Sequence, residues 1–456
     1  MEFARVLNQL RKWQDFYTNE ARDMSPVEWL LASTMFCVVA MATITAWSTG
    51  GASIALALIT AAVTRIAGYK LKPAISPQLL FGAIVCLIVM AASIFWAYET
   101  YWSIRALAIF AALGMGLLLA NGAFTAMPQR WRIHLARAAS ASFIIFLFYG
   151  FFEEISNHQL KRILFWPFQA LSIDGLSVAI NWSHISEVRP YRTNWNMATL
   201  SILLWPILFF VTRSLTQYQA RITDAVLCFV LLVMVAHSQH ETSMLAFVFG
   251  CGTYYLARAT STWTLGILAL AWVSIFVLVV PISNALFTHE IHRSEHAPDS
   301  FKHRVVLWKY TADRIAERPI LGVGLGSTHP MNEAVQTKAE RASGTTYRLQ
   351  TGTHPHNIYL QVWYEIGLVG VICVASFGLA IIYAISQLAP ALRNYACAAF
   401  AVTMTTSLSS FGWYETWYAS TIALCCALFF LVTRINRMDC IGHKNNQADR
   451  VSKSVI

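Results

Sequence analysis

The chain has 456 residues, 57% of them hydrophobic and 12% charged, with a mean hydropathy of +0.51. A soluble domain carries roughly twice that charged fraction, and one of this size would expose more apolar surface than water tolerates. Composition therefore excludes a soluble globular protein and points to an all-α polytopic membrane protein. The net charge of +10 is spread over short loops, which sets nucleic acid aside as a partner and reads as the cytoplasmic bias of membrane loops.

The apolar runs, each near the ~20 residues that a span needs, predict about twelve transmembrane helices. They lie at about 28–47, 52–68, 77–98, 103–121, 134–154, 196–213, 222–238, 243–259, 263–285, 355–386, 391–410 and 417–434. The polar segment ahead of the first run lacks the short apolar core and small-residue cleavage site of a signal peptide, so that run is expected to remain as an anchor. Arg5, Arg11, Lys12 and Arg22 precede it; Arg65, Lys70 and Lys72 follow the second run; Arg130, Arg132 and Arg137 separate the fourth and fifth; Arg213 and Arg221 separate the sixth and seventh; and Arg434, Arg437 and Lys444 follow the last. The turns between these basic ones, near 48–51 and 98–101, carry neither Lys nor Arg. This alternation predicts that both termini are cytoplasmic and that both long polar loops, about 155–195 and 286–354, face outward. The expected organisation is nine helices with the shorter loop over 1–285, the large loop over 286–354, three helices over 355–434, and a cytoplasmic tail over 435–456. Of nine cysteines, eight lie in apolar runs and Cys440 lies in the tail, so neither a disulfide framework nor a thiolate metal site is expected.

The large loop opens with a helix-like stretch over 300–318, rich in basic and aromatic residues, for which Ser300 or Asp299 is the expected cap. Pro319 ends it. Gly322, Gly324 and Gly326 then read as a tight turn, because the Lys-Ser/Thr and βαβ context of a nucleotide loop are missing. A polar helix is expected over about 332–342. The most informative segment follows: Thr353-His-Pro-His-Asn at the start of an apolar run. Two imidazoles at a bilayer edge are costly unless they face water or a substrate. One reading is a plain helix start, with Thr353 as cap and Pro355 in the first helical position. Another is acid–base chemistry, which a near-neutral imidazole suits. A zinc site would need a third ligand at a suitable spacing, which the motif does not supply.

Three outer arginines, Arg304, Arg189 and Arg192, fit either a solvated basic face or a diphosphate clamp, since guanidinium forks match phosphate oxygens. The polar turn over 237–243, with Ser238 and His240, is either a re-entry turn or a sugar or phosphate contact. Trp182, Trp195, Trp413 and Trp417 read as an interfacial belt.

Three segments together carry a family resemblance. They are His356-Asn357 followed nine residues later by Gly367-Leu-Val-Gly370; the stretch from Ser300-Phe-Lys-His-Arg304 to Glu317-Arg-Pro-Ile-Leu-Gly322-Val-Gly324; and the turn from Ser238 through Thr242-Ser-Met-Leu-Ala246. With the span layout, they resemble bacterial O-antigen ligases, of the broader family that also holds O-antigen polymerases and protein O-oligosaccharyltransferases. The chain departs from the family pattern where Trp195 rather than Arg follows Asn194, and where Glu241 stands for the usual Arg or Gln. The resemblance implies a GT-C-like glycosyltransferase on the periplasmic face of the bacterial inner membrane. It would move O-antigen from undecaprenyl diphosphate to a sugar hydroxyl of lipid A–core, inverting the anomeric carbon, with neither metal nor cofactor. His356 would be the catalytic base, and Arg304, Arg192, Arg189, His354, Asn357, Ser238 and His240 would bind substrate. The implied partners are the lipid-linked glycan, lipid A–core and membrane lipids. A polymerase or a protein O-oligosaccharyltransferase is the alternative within the family, and a lipid or glycan transporter is the alternative outside it. Charges gathered at loops and span ends, rather than deep in spans, favour the enzyme.

Overall fold

The computed structural model describes residues 24–156, 159, 178–181, 184–188, 190–213, 215–238, 240–328, 354–409 and 411–435, with backbone alone at 47, 178–181, 184–188 and 190–193. Thirteen α-helices run through these residues: α1 Pro26–Ile44, α2 Thr49–Ile66, α3 Pro77–Ser93, α4 Thr100–Ala126, α5 Gln129–Ile155, α6 Pro190–Thr212, α7 Gln217–His237, α8 Glu241–Ala259, α9 Ser261–Thr288, α10 Asp299–Glu317, α11 Ile358–Ser386, α12 Pro390–Ser409 and α13 Thr416–Thr433. All but α10 match the twelve expected spans one for one. The shorter loop also holds an antiparallel hairpin of β1 Val178–Asn181 and β2 His184–Val188. The helix expected over 332–342 and the terminal segments fall outside the described residues.

Helix starts follow local chemistry. Ser25 and Glu28 form a capping box ahead of α1, Thr216 and Gln219 form another ahead of α7, and Ser76 caps α3 with Pro77 in its first turn. Ten described helices are long and apolar enough to cross a membrane. The remaining two of the twelve, α8 and α12, pack against each other within the bundle. Their polar side chains explain the lower apolarity: on α12, Thr403, Thr405 and Thr406 return their hydroxyls to carbonyls four residues back, at 2.8–2.9 Å. A hydroxyl satisfied within its own helix can be buried at little cost.

Three apolar cores hold the described bundle, the smallest joining α8, α9, α11 and α12 around Leu268, Ile382 and Cys397. The largest joins α1, α5, α6, α8 and α13 around Phe143, Trp205, Phe247 and Leu428, and a second joins α9, α10 and α11 around Phe276, Trp308 and Tyr359. The basic short turns meet at one end, where Arg213 Nη2 reaches the Ile435 carbonyl at 2.8 Å, Arg434 Nη2 the Ala74 carbonyl at 3.2 Å, and Arg130 Nε the Glu28 carboxylate at 2.9 Å. The other end gathers the α1–α2, α3–α4, α7–α8 and α12–α13 turns with the described parts of both long loops.

At that second end α11 is broken. Gly367 has φ 66° and ψ −160° inside the helix. The segment after α10 enters the break: the N–H groups of Leu368 and Val369 donate to the carbonyls of Pro319 and Ile320 at 2.8 and 3.2 Å, and those of Val323 and Gly324 donate to the carbonyls of Tyr364 and Glu365 at 3.0 and 2.8 Å. Backbone groups that a broken helix would orphan are thus satisfied from the loop. The glycine-rich turn expected here is present, and its role is to splice loop to helix.

Candidate active site

The start of α11 is set by Asn357. It is extended, with φ −155°, and its side chain accepts from the Leu360 N–H at 3.0 Å, an N-cap bond. His356 precedes it in the left-handed region, φ 51°, a backbone geometry that a right-handed helix cannot contain. The helix therefore begins at Ile358, three residues later than the expected start at Pro355. Thr353, the expected cap, lies outside the described residues.

His354 is 5% exposed, and both of its ring nitrogens are engaged. Nδ1 accepts from the His356 backbone N–H at 3.1 Å, and Nε2 pairs with the Glu415 carboxylate. That arrangement assigns the proton to Nε2. His354 thus holds the left-handed turn on which His356 stands. The two rings are 4.3 Å apart, edge to face, and His356 is half-buried. Glu415 precedes α13 and also accepts from Trp417 Nε1 at 2.7 Å. Burial pushes its carboxyl up, but His354, the Trp417 hydrogen bond and His356 outweigh that and hold it below the usual carboxylate range.

Trp417 stacks on Trp195 at 5.4 Å and 20°, and Trp413 Nε1 donates to Glu365 at 3.0 Å. These three tryptophans, expected as an interfacial belt, are packing and hydrogen-bonding partners of the site wall instead. Trp182 lies outside the described residues. The Trp195 stack brings the start of α6 to the site wall, and Asn196 ties that start to the α1–α2 turn through the Ala46 N–H at 3.1 Å and the Ile44 carbonyl at 2.8 Å. The backbone of Arg192 lies in the first turn of α6; its side chain and all of Arg189 fall outside the described residues.

A second group stands at the start of α8. Ser238 closes α7, its hydroxyl bonding back to the Val235 carbonyl at 2.9 Å. His240 is buried, its Nδ1 hydrogen-bonded to the Ser243 hydroxyl and its ring 5.6 Å from Phe411. Burial, and then the charge of Arg304, lower its pKa to about 3, so the ring is neutral. Arg304, on α10, is half-buried. Burial disfavours its charge and Glu241 supports it; a guanidinium stays protonated regardless. Burial and Arg304 likewise lower the pKa of neighbouring His303.

Arg304 differs from other cations of the same end of the bundle. Lys302, Lys309, Arg314 and Arg293 pair with Asp299, Asp313, Glu317 and Glu290 respectively. These are the solvated ion pairs expected of a polar helix face. No ion pair or hydrogen bond ties the Arg304 fork to a described residue. The cap expected from Ser300 or Asp299 is also absent: Pro298 precedes α10, Asp299 pairs with Lys302, and the Ser300 hydroxyl reaches Glu241 at 3.4 Å.

Phe411 joins the two groups, touching His240 on one side and Trp417, at 4.5 Å, on the other. Trp308 of α10 donates to the Pro355 carbonyl at 3.0 Å, fixing the loop helix to the histidine turn. His354, His356, Asn357, Ser238, His240 and Arg304 therefore occupy one end of the bundle, with a fork unpaired among the described residues and a supported imidazole. Such a set can bind an anionic group and take a proton from a hydroxyl. The sequence reading missed Glu415, Phe411 and Glu365. A signal existed for both carboxylates, since each lies at or within an apolar run, where charge is expensive.

Residues 225–375 match the O-antigen ligase family. A Rickettsia conorii protein named as a polysaccharide ligase is 24% identical over 265 residues, 58% of this chain and 57% of the relative. Similarly named proteins of Rickettsia typhi and Rickettsia bellii are 24% identical over 200 residues and 23% identical over 270 residues, covering 41% and 56% of this chain and 47% and 62% of the relatives. The chain thus spans about half the length of the curated relatives it matches.

Proposed function

On the premise that this multi-pass membrane protein carries a domain of the O-antigen ligase family over residues 225–375, we propose that it transfers a glycan from undecaprenyl diphosphate to a sugar hydroxyl of lipid A–core. The observation that carries the reading is the presence, at one end of the bundle, of an Arg304 fork unpaired among the described residues and of His356 on its supported turn. The basic short turns lie at the opposite end, which suits a site on the periplasmic side of a bacterial inner membrane.

In this reading Arg304, with Arg192 or Arg189, binds the diphosphate and stabilises the charge that grows on it as it leaves. The acceptor oxygen attacks the anomeric carbon, the bond to the diphosphate breaks, and the hydroxyl proton passes to His356. Attack opposite the leaving group inverts the carbon. The activated bond already resides in the donor, so the step needs no nucleotide. His354 and Glu415 keep the His356 turn in place, while Asn357, Ser238 and His240 line the approach.

The test is to incubate purified protein with lipid-linked glycan and lipid A–core, without nucleotide or added metal, and to resolve the products by gel. A ladder of glycosylated lipid A–core that His356→Ala reduces by about 10²–10⁴-fold is the expected result. Growth of the lipid-linked glycan alone would instead assign a polymerase. Wild-type transfer by His356→Ala would remove it as the base.

A further inference from the structure

Glu365 lies within α11 and is 0% exposed, yet the transfer chemistry does not use it. Its carboxylate is surrounded by donors. Oε1 accepts from Gln361 Nε2 at 3.2 Å, from the Thr328 N–H at 3.3 Å and from the Thr328 hydroxyl; Oε2 accepts from Trp413 Nε1 at 3.0 Å; and the Gly326 N–H adds a further bond. These donors come from separate parts of the chain. Gly326 and Thr328 belong to the loop segment after α10, Gln361 to the first turns of α11, and Trp413 to the α12–α13 turn.

Each of those parts also supports the site. The loop segment continues from α10, which carries Arg304, and enters the α11 break at Gly367, two residues from Glu365, whose carbonyl accepts from the Gly324 N–H at 2.8 Å. Gln361 lies one turn after Asn357, and its Oε1 accepts from the Trp413 N–H at 3.1 Å. Trp413 begins the short run to Glu415, which holds His354. A buried carboxylate, an acceptor only, suits a ring of donors. Removing it would leave several buried donors unsatisfied at once.

We propose that Glu365 is the positioning residue of the site: by accepting from the outer loop, α11 and the α12–α13 turn together, its carboxylate sets Arg304 against His356. This rests on the transfer reading, which makes that separation matter. An amide at this position keeps the shape but turns an acceptor toward donors as a donor. Geometry lost at a distance from the reacting atoms lowers turnover more than binding.

The experiment compares wild type with Glu365→Gln, as monodisperse full-length protein, by two readouts. The first is hydrogen–deuterium exchange of peptides covering 319–328 and 361–370. The second is kcat and donor KM in the transfer assay. The expected result is exchange about tenfold faster in both segments and kcat about tenfold or more lower, with donor KM within about threefold. Wild-type exchange or wild-type kcat in the variant would overturn the proposal. Should Glu365→Gln fail to fold, Trp413→Phe and Thr328→Val each remove one donor and are read the same way, with smaller shifts in the same direction expected and unchanged values overturning it. If wild type itself transfers no glycan, the functional reading fails, and the exchange readout still decides whether Glu365 joins the three segments.

Discussion

Substituting Gly367 by Ala tests the splice on which the site end of the bundle depends. With φ 66° and ψ −160°, Gly367 lies in a region that is essentially closed to residues with a Cβ, at a cost of about 1–3 kcal/mol. A Cβ there would also stand 2.4 Å from the Ile320 carbonyl oxygen, 2.5 Å from its carbon and 2.7 Å from the Gly322 nitrogen. These are backbone atoms and cannot swing aside as a side chain would. Overpacking of this kind adds about 1–3 kcal/mol, so Gly367→Ala should destabilise the fold by roughly 2–6 kcal/mol or expel the loop segment from the break. Either outcome separates Arg304 from His356. Gly114 on α4 is the control: nothing lies within 4 Å of a Cβ there, so Gly114→Ala should be neutral or stabilising by up to about 1 kcal/mol. Unfolding in mixed detergent micelles, followed by tryptophan fluorescence, gives the stabilities, and glycan transfer gives the function. A Gly367→Ala protein with wild-type stability and transfer would refute the claim that backbone geometry at the break holds the loop.

Other expectations follow from the site. Arg304→Lys keeps the charge but loses the planar fork, so transfer should fall about tenfold, and Arg304→Ala should fall further; full transfer by Arg304→Ala would give α10 a packing role only. Glu415→Gln offers one acceptor where His354 and Trp417 each now have their own oxygen, so turnover should fall about tenfold while Trp417→Phe stays milder; equal effects would mean that Glu415 serves Trp417 rather than His354. His240 predicts a pH dependence of stability. Its folded pKa of about 3 lies below the ordinary 6.5, so the unfolded chain takes up the proton first as pH falls. The stability tied to neutral His240 is whole above pH 6.5 and is lost between 6.5 and 3, at about 1.4 kcal/mol per pH unit. His240→Asn should flatten that decline between about pH 6 and 4, and superimposable curves would show that His240 does not titrate this way.

The sequence by itself determined the bundle. Hydrophobic runs of membrane length have one stable solution in lipid, the helix, because every backbone group must be satisfied within it. The twelve runs therefore became twelve helices, and the alternation of basic turns was enough to place both long loops at one end. The loop helix α10 was legible from its polar start and from Pro319, and the glycine turn from residues that tolerate positive φ. At Pro355 and at the tryptophans, local chemistry misled because tertiary contacts competed with it. Pro355 looked like a first helical residue, but His354 captures the His356 N–H and delays α11 until Asn357 can cap it. Trp195, Trp413 and Trp417 looked like a belt because composition cannot tell a ring that faces lipid from one that stacks on a neighbour.

Only the tertiary structure decided how the site is assembled. Glu365 and Thr328, or His354 and Glu415, are separated along the chain by distances that no periodicity spans, and their meeting depends on how α11 breaks and what enters the break. Among the outer cations the same holds. Lys302, Lys309 and Arg314 read like Arg304 in the sequence, yet each finds a carboxylate within four residues on its own helix. Arg304 points toward the start of α8, where the neighbours of its fork come from elsewhere in the chain. Residue types told where chemistry was possible; packing selected which fork is left without a partner among the described residues and which histidine turn is held in place.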